Sequence, residues 1–343
     1  MKKTINFNGP FRSISSRAVL SLVLSVMLIL ISAALMGCES FMNNEAEDQA
    51  QPGEENSATD NKLKYDSEPQ ISVYMHETGE IKELGLEDYL AGVVAAEMDP
   101  AWADEALAAQ AILARTFTLE RMESTGGVPD RGTDASTDIQ EFQAYDEQRI
   151  TDQVLKAVER TRGEVALFED KLIKAWFFAD GGGQTAASAL EGLAYDKEPA
   201  PYIQSVEDPG SAVTTPENKS WEATFDLKTA QTKLKDFTGT DPGAINEVTI
   251  LEKGPSGRVT SVKIGSLTTG GPSLRLALGS TEMKSTLLTK LAIQDGQLVA
   301  AGKGYGHGVG MSQWGAKALA DQGKTGEEII QYFFKDVTIE KLY

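Results

Sequence analysis

The sequence predicts an α+β fold, a single globular domain carrying a β-rich insertion. Three observations predict it. Apolar residues recur at helical spacing early in the globular part and again at its end. Between these stretches, around residues 221–300, short runs have the composition and alternation of strands. The 343 residues, 41% hydrophobic and 24% charged, suffice for one sizeable core and are too apolar for a chain disordered throughout. No internal repeat divides the sequence.

The N-terminus sets the expected compartment. Lys2, Lys3, Arg12 and Arg17 precede an uninterrupted apolar-to-small run of 18 residues, Ala18 to Leu35. Leu35-Met36-Gly37-Cys38 follows, with the only cysteine of the chain at its end. This has the form of a bacterial lipobox: residues 1–37 would be a lipoprotein signal peptide and Cys38 would be lipidated after cleavage. An uncleaved membrane anchor is the other reading, because 18 apolar residues just span a bilayer. Either reading places the rest of the chain on the extracytoplasmic face of the cell membrane, tethered to it. A lone cysteine also excludes an intramolecular disulfide.

The formal net charge is −19, and loss of the leader, which holds four basic and no acidic residues, would take it to −23. A phosphate backbone would be repelled, so no nucleic-acid partner is expected. Residues 38–68 read as an extended, disordered linker: from 39 to 68 there are nine acidic and two basic residues and almost nothing apolar. The globular domain is expected over 69–343.

Ile71–Met75 alternates as a strand. Gly85–Met98 reads as a helix, and Pro100 ends it by disfavouring helix at Asp99. A second helix, Asp104 to Glu123, is stopped by Gly126-Gly127. Residues 128–150 read as loop and Thr151–Thr161 as a short helix. Glu164–Phe168 and Leu172–Phe178 read as a hairpin across Glu169-Asp170-Lys171. Gly181-Gly182-Gly183 offers a backbone that can approach a ligand closely. Strands are expected at Trp221–Leu227, Glu247–Glu252, Val259–Ile264 and Gln297–Ala301, with a helix near Leu227–Phe237. Ser312–Gln322 and Glu327–Phe334 are helical, the last with a capping box in Thr325-Gly326-Glu327-Glu328.

Glu97 stands out. At 3.6 residues per turn it shares a helical face with Leu86, Leu90, Val93 and Val94. A carboxylate on an apolar face is either a fault in the pattern or a group with a purpose. Desolvation would raise its pKa and keep it protonated near neutral pH, as a general acid requires. Gln110 and Arg115 lie on the next helix among small and apolar residues. For any one such polar residue a satisfied structural hydrogen bond is the commoner explanation, and a buried ion pair explains Arg115 as readily as substrate binding does. Trp102 reads as core more readily than as a sugar-stacking platform. Gly302-Lys303-Gly304-Tyr305-Gly306-His307-Gly308-Val309-Gly310-Met311-Ser312-Gln313 presents His307 and Gln313 on a glycine-rich backbone, with Ser312 as a helix N-cap. No βαβ unit or ribose-binding acid accompanies it, so a dinucleotide site is not indicated. The two histidines of the chain, His76 and His307, are too few for a zinc site of several His and Cys ligands.

These segments together resemble the stage II sporulation protein D family, also called the amidase-enhancer or LytB-like domain, over most of residues 70–343. The resemblance rests on Glu97-Met98, Trp102 and Glu105-Ala-Leu-x-Ala-Gln-Ala-x-x-Ala-Arg115-Thr116. It continues through Ser136-Thr137-Asp138, Thr161-Arg162-Gly163-Glu164, Gly182-Gly183-Gln184-Thr185, Pro201-Tyr202-Ile203-Gln204-Ser205-Val206, Ser256-Gly257-Arg258-Val259 and Leu274-Arg275-x-x-Leu278-Gly279. The glycine segment with His307 is its most specific part.

The resemblance implies a peptidoglycan lytic transglycosylase, with Glu97 as catalytic acid and glycan stripped of stem peptides as the favoured substrate, in spore formation or wall remodelling. Gln110, Arg115, His307, Ser312 and Gln313 are the expected substrate contacts. A non-enzymatic glycan binder that activates or recruits a cell-wall amidase is the alternative. A hydrolase would need a second carboxylate, for which Asp99 or Glu105 would have to serve. Some members of the family carry a Cys and a His associated with zinc; here those positions are Ile139 and Phe178, neither of which can bind a metal. No metal and no cofactor are therefore expected.

Overall fold

The computed structural model describes residues 65–343. The leader, Cys38 and most of the acidic linker lie outside the described residues. The end of the segment read as linker is anchored: Tyr65 meets the ring of Tyr343 edge-on at 6.4 Å, and the Glu68 carboxylate accepts the backbone N–H of Glu87 at 2.9 Å. Among the described residues, no helix is long and apolar enough to cross a membrane.

Two hydrophobic cores organise the chain. The larger is built on helices α1 (Leu86–Glu97) and α2 (Asp104–Thr125). Strand β1 (Gln70–Met75) pairs antiparallel with β2 (Glu80–Gly85) and parallel with the short β3 (Ala135–Ser136). Helix α1 is apolar almost all round and buried accordingly from Leu86 to Ala95, with Asp88 alone exposed. Its N-terminus lacks a side-chain cap of its own; the Glu68 carboxylate supplies one from outside. Helix α2 ends at Gly126, left-handed at φ 70°. Helix α3 (Asp152–Arg160) and the sheet of β4 (Glu164–Phe168), β5 (Lys171–Leu172) and the C-terminal strand complete this side.

The hairpin after β4 differs from expectation. It turns through Glu169 and Asp170, both at positive φ, but its return strand is only Lys171–Leu172. The chain then leaves the sheet, and Phe177–Phe178 (β6) pairs in parallel with Met311–Ser312 (β13) at the end of the glycine segment. The glycines permit this. A side chain at Gly310 (φ 81°) would start 2.1 Å from the Trp176 carbonyl oxygen, so only glycine lets the two backbones meet.

The second core begins at Trp221 and closes at Gly302. Strands β7 (Trp221–Asp226), β11 (Leu288–Gln294) and β12 (Gln297–Gly302) form one sheet in the order β11-β12-β7. Strands β8 (Val248–Lys253), β9 (Val259–Ile264) and β10 (Leu267–Gly270) form another, with β9 central. Helix α4 (Ala189–Leu193) precedes this body, and α5 (Leu227–Thr238) and α6 (Gly271–Leu278) pack within it. The chain then returns through the glycine segment to α7 (Gln313–Asp321), α8 (Gly326–Phe333) and β14 (Thr338–Lys341), which pairs with β4. Ser312 caps α7, and Thr325 with Glu328 forms the capping box of α8, both as the sequence indicates.

Arg258 ties the insertion to the rest. Its guanidinium is 1% exposed and donates to the carbonyls of Gly181 (3.0 Å) and Gln184 (2.8 Å). Gly308 packs onto it, where a Cβ would lie 2.3 Å away. The glycine segment is thus clamped by one long side chain from the insertion.

Candidate active site

Glu97 is the last residue of α1 and lines a cleft of about 630 Å³. The α1 side of the cleft also includes Ala96; α2 contributes Phe117, and the loop after β3 contributes Ile139, Phe142 and Gln143. The opposite wall is the Trp176–Ala179 strip with Tyr305, His307 and Gln313. The β6–β13 pairing puts the strip and the glycine segment side by side. Gln313, first residue of α7, then reaches across the cleft and donates from Nε2 to Glu97 Oε2 at 3.1 Å. The other oxygen, Oε1, accepts the backbone N–H of Ala144 at 3.0 Å.

Both hydrogen bonds favour the ionised carboxylate, yet the pKa of Glu97 is raised, because desolvation among apolar walls outweighs them. The group is half-buried: protein crowds it from behind and the cleft opens in front. It is the only acidic side chain among the described residues that line the cleft. Asp99 is exposed and accepts the N–H of Ala101, while Glu105 pairs with Arg160 at 2.6 Å and accepts the N–H of Gly326. Neither lines the cleft.

His307 carries no charge here. Burial, then the nearby Arg275 and Arg258 guanidinium groups, lower its pKa to about 3, with the Phe177 backbone opposing. Its Nδ1 accepts the N–H of Val309 at 3.0 Å, which places the proton on Nε2. A neutral imidazole cannot act as an acid near pH 7.

The other residues singled out by sequence are distributed differently. Ser312 is wholly buried, its hydroxyl accepting from the N–H of Gly315 at 3.0 Å. Arg115 is wholly buried behind the cleft, bonded to both oxygens of Glu87 (2.9 and 2.5 Å) and to the Glu164 carbonyl (2.9 Å). Gln110 is wholly buried, and neither of its amide atoms has a hydrogen-bond partner. None of the three lines the cleft. Trp102 packs on Trp314 at 4.8 Å and does not line it either. The Gly181–Gly183 turn makes its close approaches to protein, not to an open site: the Gly181 N–H donates to Asp208 at 2.6 Å, and a Cβ on Gly182 would meet the Lys303 and Gly304 backbone.

Sequence reasoning passed over the Ala144 N–H and the aromatic lining from Phe117, Phe142, Trp176 and Tyr305. A backbone donor leaves no mark on residue identity. The aromatic spacing in Trp176-Phe177-Phe178 was a visible signal, read as an ordinary strand. Ile139 and Phe178 both line the cleft. They have no atoms that could bind a metal, so the two positions do not fit the zinc site that the family resemblance would suggest there.

A model of the Stage II sporulation protein family matches residues 74–168, the stretch that holds α1, α2 and the Ala144 loop. A domain of unknown function (DUF8618) matches residues 209–310, which include the insertion. The chain is 30% identical over 284 residues to Stage II sporulation protein D of Bacillus amyloliquefaciens, covering 79% of this chain and 78% of that protein. It is 30% identical over 263 residues to an uncharacterized protein of Brachyspira hyodysenteriae, covering 76% of this chain and 67% of that one. It is also 30% identical over 292 residues to the amidase enhancer of Bacillus subtilis, covering 73% of this chain and 40% of the enhancer. With this likeness running through both cores, the chain belongs to the stage II sporulation protein D family, the group that includes the LytB-like amidase enhancers.

Proposed function

We propose that the protein is a peptidoglycan lytic transglycosylase acting on peptide-free glycan, held at the outer face of the membrane through Cys38 and reaching the wall by its acidic linker. The observation that carries the reading is the single carboxyl group of the cleft, Glu97, with its raised pKa. Ordinary glycosidases need two carboxyl groups, one as acid and one as base or nucleophile. A reaction in which the substrate supplies the nucleophile needs one.

In this reading protonated Glu97 gives its proton to the oxygen joining muramic C1 to the next N-acetylglucosamine, and the C1–O bond breaks. The carboxylate so formed takes the proton of the muramic 6-hydroxyl as that oxygen bonds to C1. A 1,6-anhydro ring and a free sugar hydroxyl result, Glu97 regains its proton, and no water is consumed. Between the two steps the Gln313 and Ala144 donors steady the carboxylate. Neutral His307, on the same wall, does not compete for the proton.

A second reading, a non-enzymatic activator of a cell-wall amidase, is favoured by the likeness to the amidase enhancer. Mass analysis of peptide-free glycan digests separates the two. Anhydro-muramic ends with the wild type and their absence with Glu97→Gln support the first. Intact strands, together with a raised amidase rate on adding the protein, support the second and overturn the first.

A further inference from the structure

We propose that the cleft continues past Phe117 and Trp176 into a second glycan-binding groove, which holds the strand beyond the bond attacked. The inference rests on the glycan-cleaving reading of the cleft and extends it along the polymer. A second cavity of about 550 Å³ shares Phe117 and Trp176 with the first, so the two rings form a ridge common to both. Each cavity alone is of the size that accommodates a small ligand. A polymer attacked within its length needs room on both sides of the bond.

The chemistry of the groove suits neutral sugar rings. Tyr195 stands edge-on to Trp176, ring centres 5.2 Å apart. Phe117, Trp176 and Tyr195 are all only half-buried, which leaves part of each aromatic surface unused by packing. A pyranose offers an apolar C–H face to such rings and a rim of hydroxyls to polar neighbours. Those neighbours are present: Lys174 lies 2.6 Å from Glu120 and 3.3 Å from Glu198, and all three line the groove. Lys174 is already paired, and the rest of the lining carries both signs, Arg121 and Lys197 against Glu141 and Asp196, so the groove offers hydrogen-bonding edges rather than a one-signed field for a charged stem peptide. The occupant that fits is therefore the continuing glycan strand.

The test is a titration of Glu97→Gln, which would hold strands without cutting them, with peptide-free glycan oligosaccharides of increasing length. Affinity should keep rising beyond the tetrasaccharide. Adding Tyr195→Ala should weaken binding of the longer oligosaccharides by about tenfold. Ser124→Trp, at an exposed position on the groove lining, should have the same effect by filling the space, and it serves if Tyr195→Ala folds poorly. Affinity that does not grow with length, or that neither substitution changes, overturns the inference. So does tighter binding of strands bearing stem peptides than of bare strands of equal length, which would assign the groove to peptide. The cleavage reading is tested apart: if wild-type protein releases no anhydro ends but length-dependent binding holds, the groove stands and the catalysis falls. If anhydro ends form while binding is length-independent, the groove alone falls.

Discussion

The ring of Tyr145 fills the space beside Gly92 so closely that a Cβ there would lie 2.2 Å from it. The Gly92 carbonyl accepts the N–H of Asp146 at 3.1 Å, and Tyr145 stacks on Tyr89, ring centres 5.8 Å apart and nearly parallel at 7°. The loop whose Ala144 N–H holds Glu97 is thereby docked on the helix that carries Glu97. Gly92→Ala should push the loop outward and misplace that donor. The expected outcome is a fall in kcat of roughly ten- to a hundredfold with KM little changed. Steady-state kinetics on peptide-free glycan checks this, and an unchanged kcat would remove the loop from the mechanism.

Glu97 also sets a stability balance. Its folded-state pKa is raised above the ordinary 4.5, first by desolvation. The folded protein thus holds this proton more tightly than the unfolded chain does. The resulting stabilisation is complete below the ordinary value and is lost as pH rises through the folded one. Once pH exceeds the folded-state value, the ionised group is a burden that Glu97→Gln would relieve. The inactive variant should melt a few degrees above wild type at about pH 8, and the gap should close below pH 4.5. Thermal melts across this range test the sign, and a variant less stable than wild type at pH 8 contradicts it.

The rate profile follows from the same site. With its pKa lowered to about 3, His307 does not titrate in the working range. Loss of the Glu97 proton is then the only limb, so kcat/KM should be flat on the acid side and fall with one proton as pH rises. Gln313→Ala removes a donor that favours the carboxylate, so the midpoint should move to higher pH. An acid limb near pH 6 would reveal a second titrating group and refute the single-acid mechanism.

The sequence carried much of this, unevenly. Helical periodicity placed α1, α2, α3 and α7 within two residues or so at their ends, because each is bounded by a local signal such as Pro100, Gly126, Thr151 or Ser312. The strand Leu288–Gln294 was overlooked although Asp295-Gly296, both at positive φ, is the turn of its hairpin. The return strand after Asp170 was drawn too long, because Trp176–Phe178 is apolar enough for a strand while its partner lies more than a hundred residues away. At the site, Glu97 was legible as a carboxylate on an apolar face. That Gln313 meets it while Gln110 and Arg115 do not reach the cleft is a matter of tertiary contact, which periodicity does not encode.

Arg115 shows what that distinction implies for a variant. Its guanidinium grips both oxygens of Glu87, which also accepts the N–H of Gly163 (3.2 Å) and the Tyr343 hydroxyl (2.5 Å). One buried pair thus joins α1, α2, the start of β4 and the C-terminus. Burial works to raise the Glu87 pKa, but Arg115, Tyr343 and the Gly163 N–H together hold it below the ordinary range. Its contribution is therefore present above the ordinary value and is lost as pH falls through the lowered one. Arg115→Ala would leave the Glu87 charge buried without its partner, at a cost of about 3–5 kcal/mol. Arg115→Lys should recover only part of this, since an ammonium cannot bond both oxygens in the same fork. Denaturant unfolding checks the loss. The fraction that remains folded should bind and cleave glycan with wild-type KM, because no atom of Arg115 faces the cleft; a raised KM at unchanged stability would return Arg115 to the substrate-binding set.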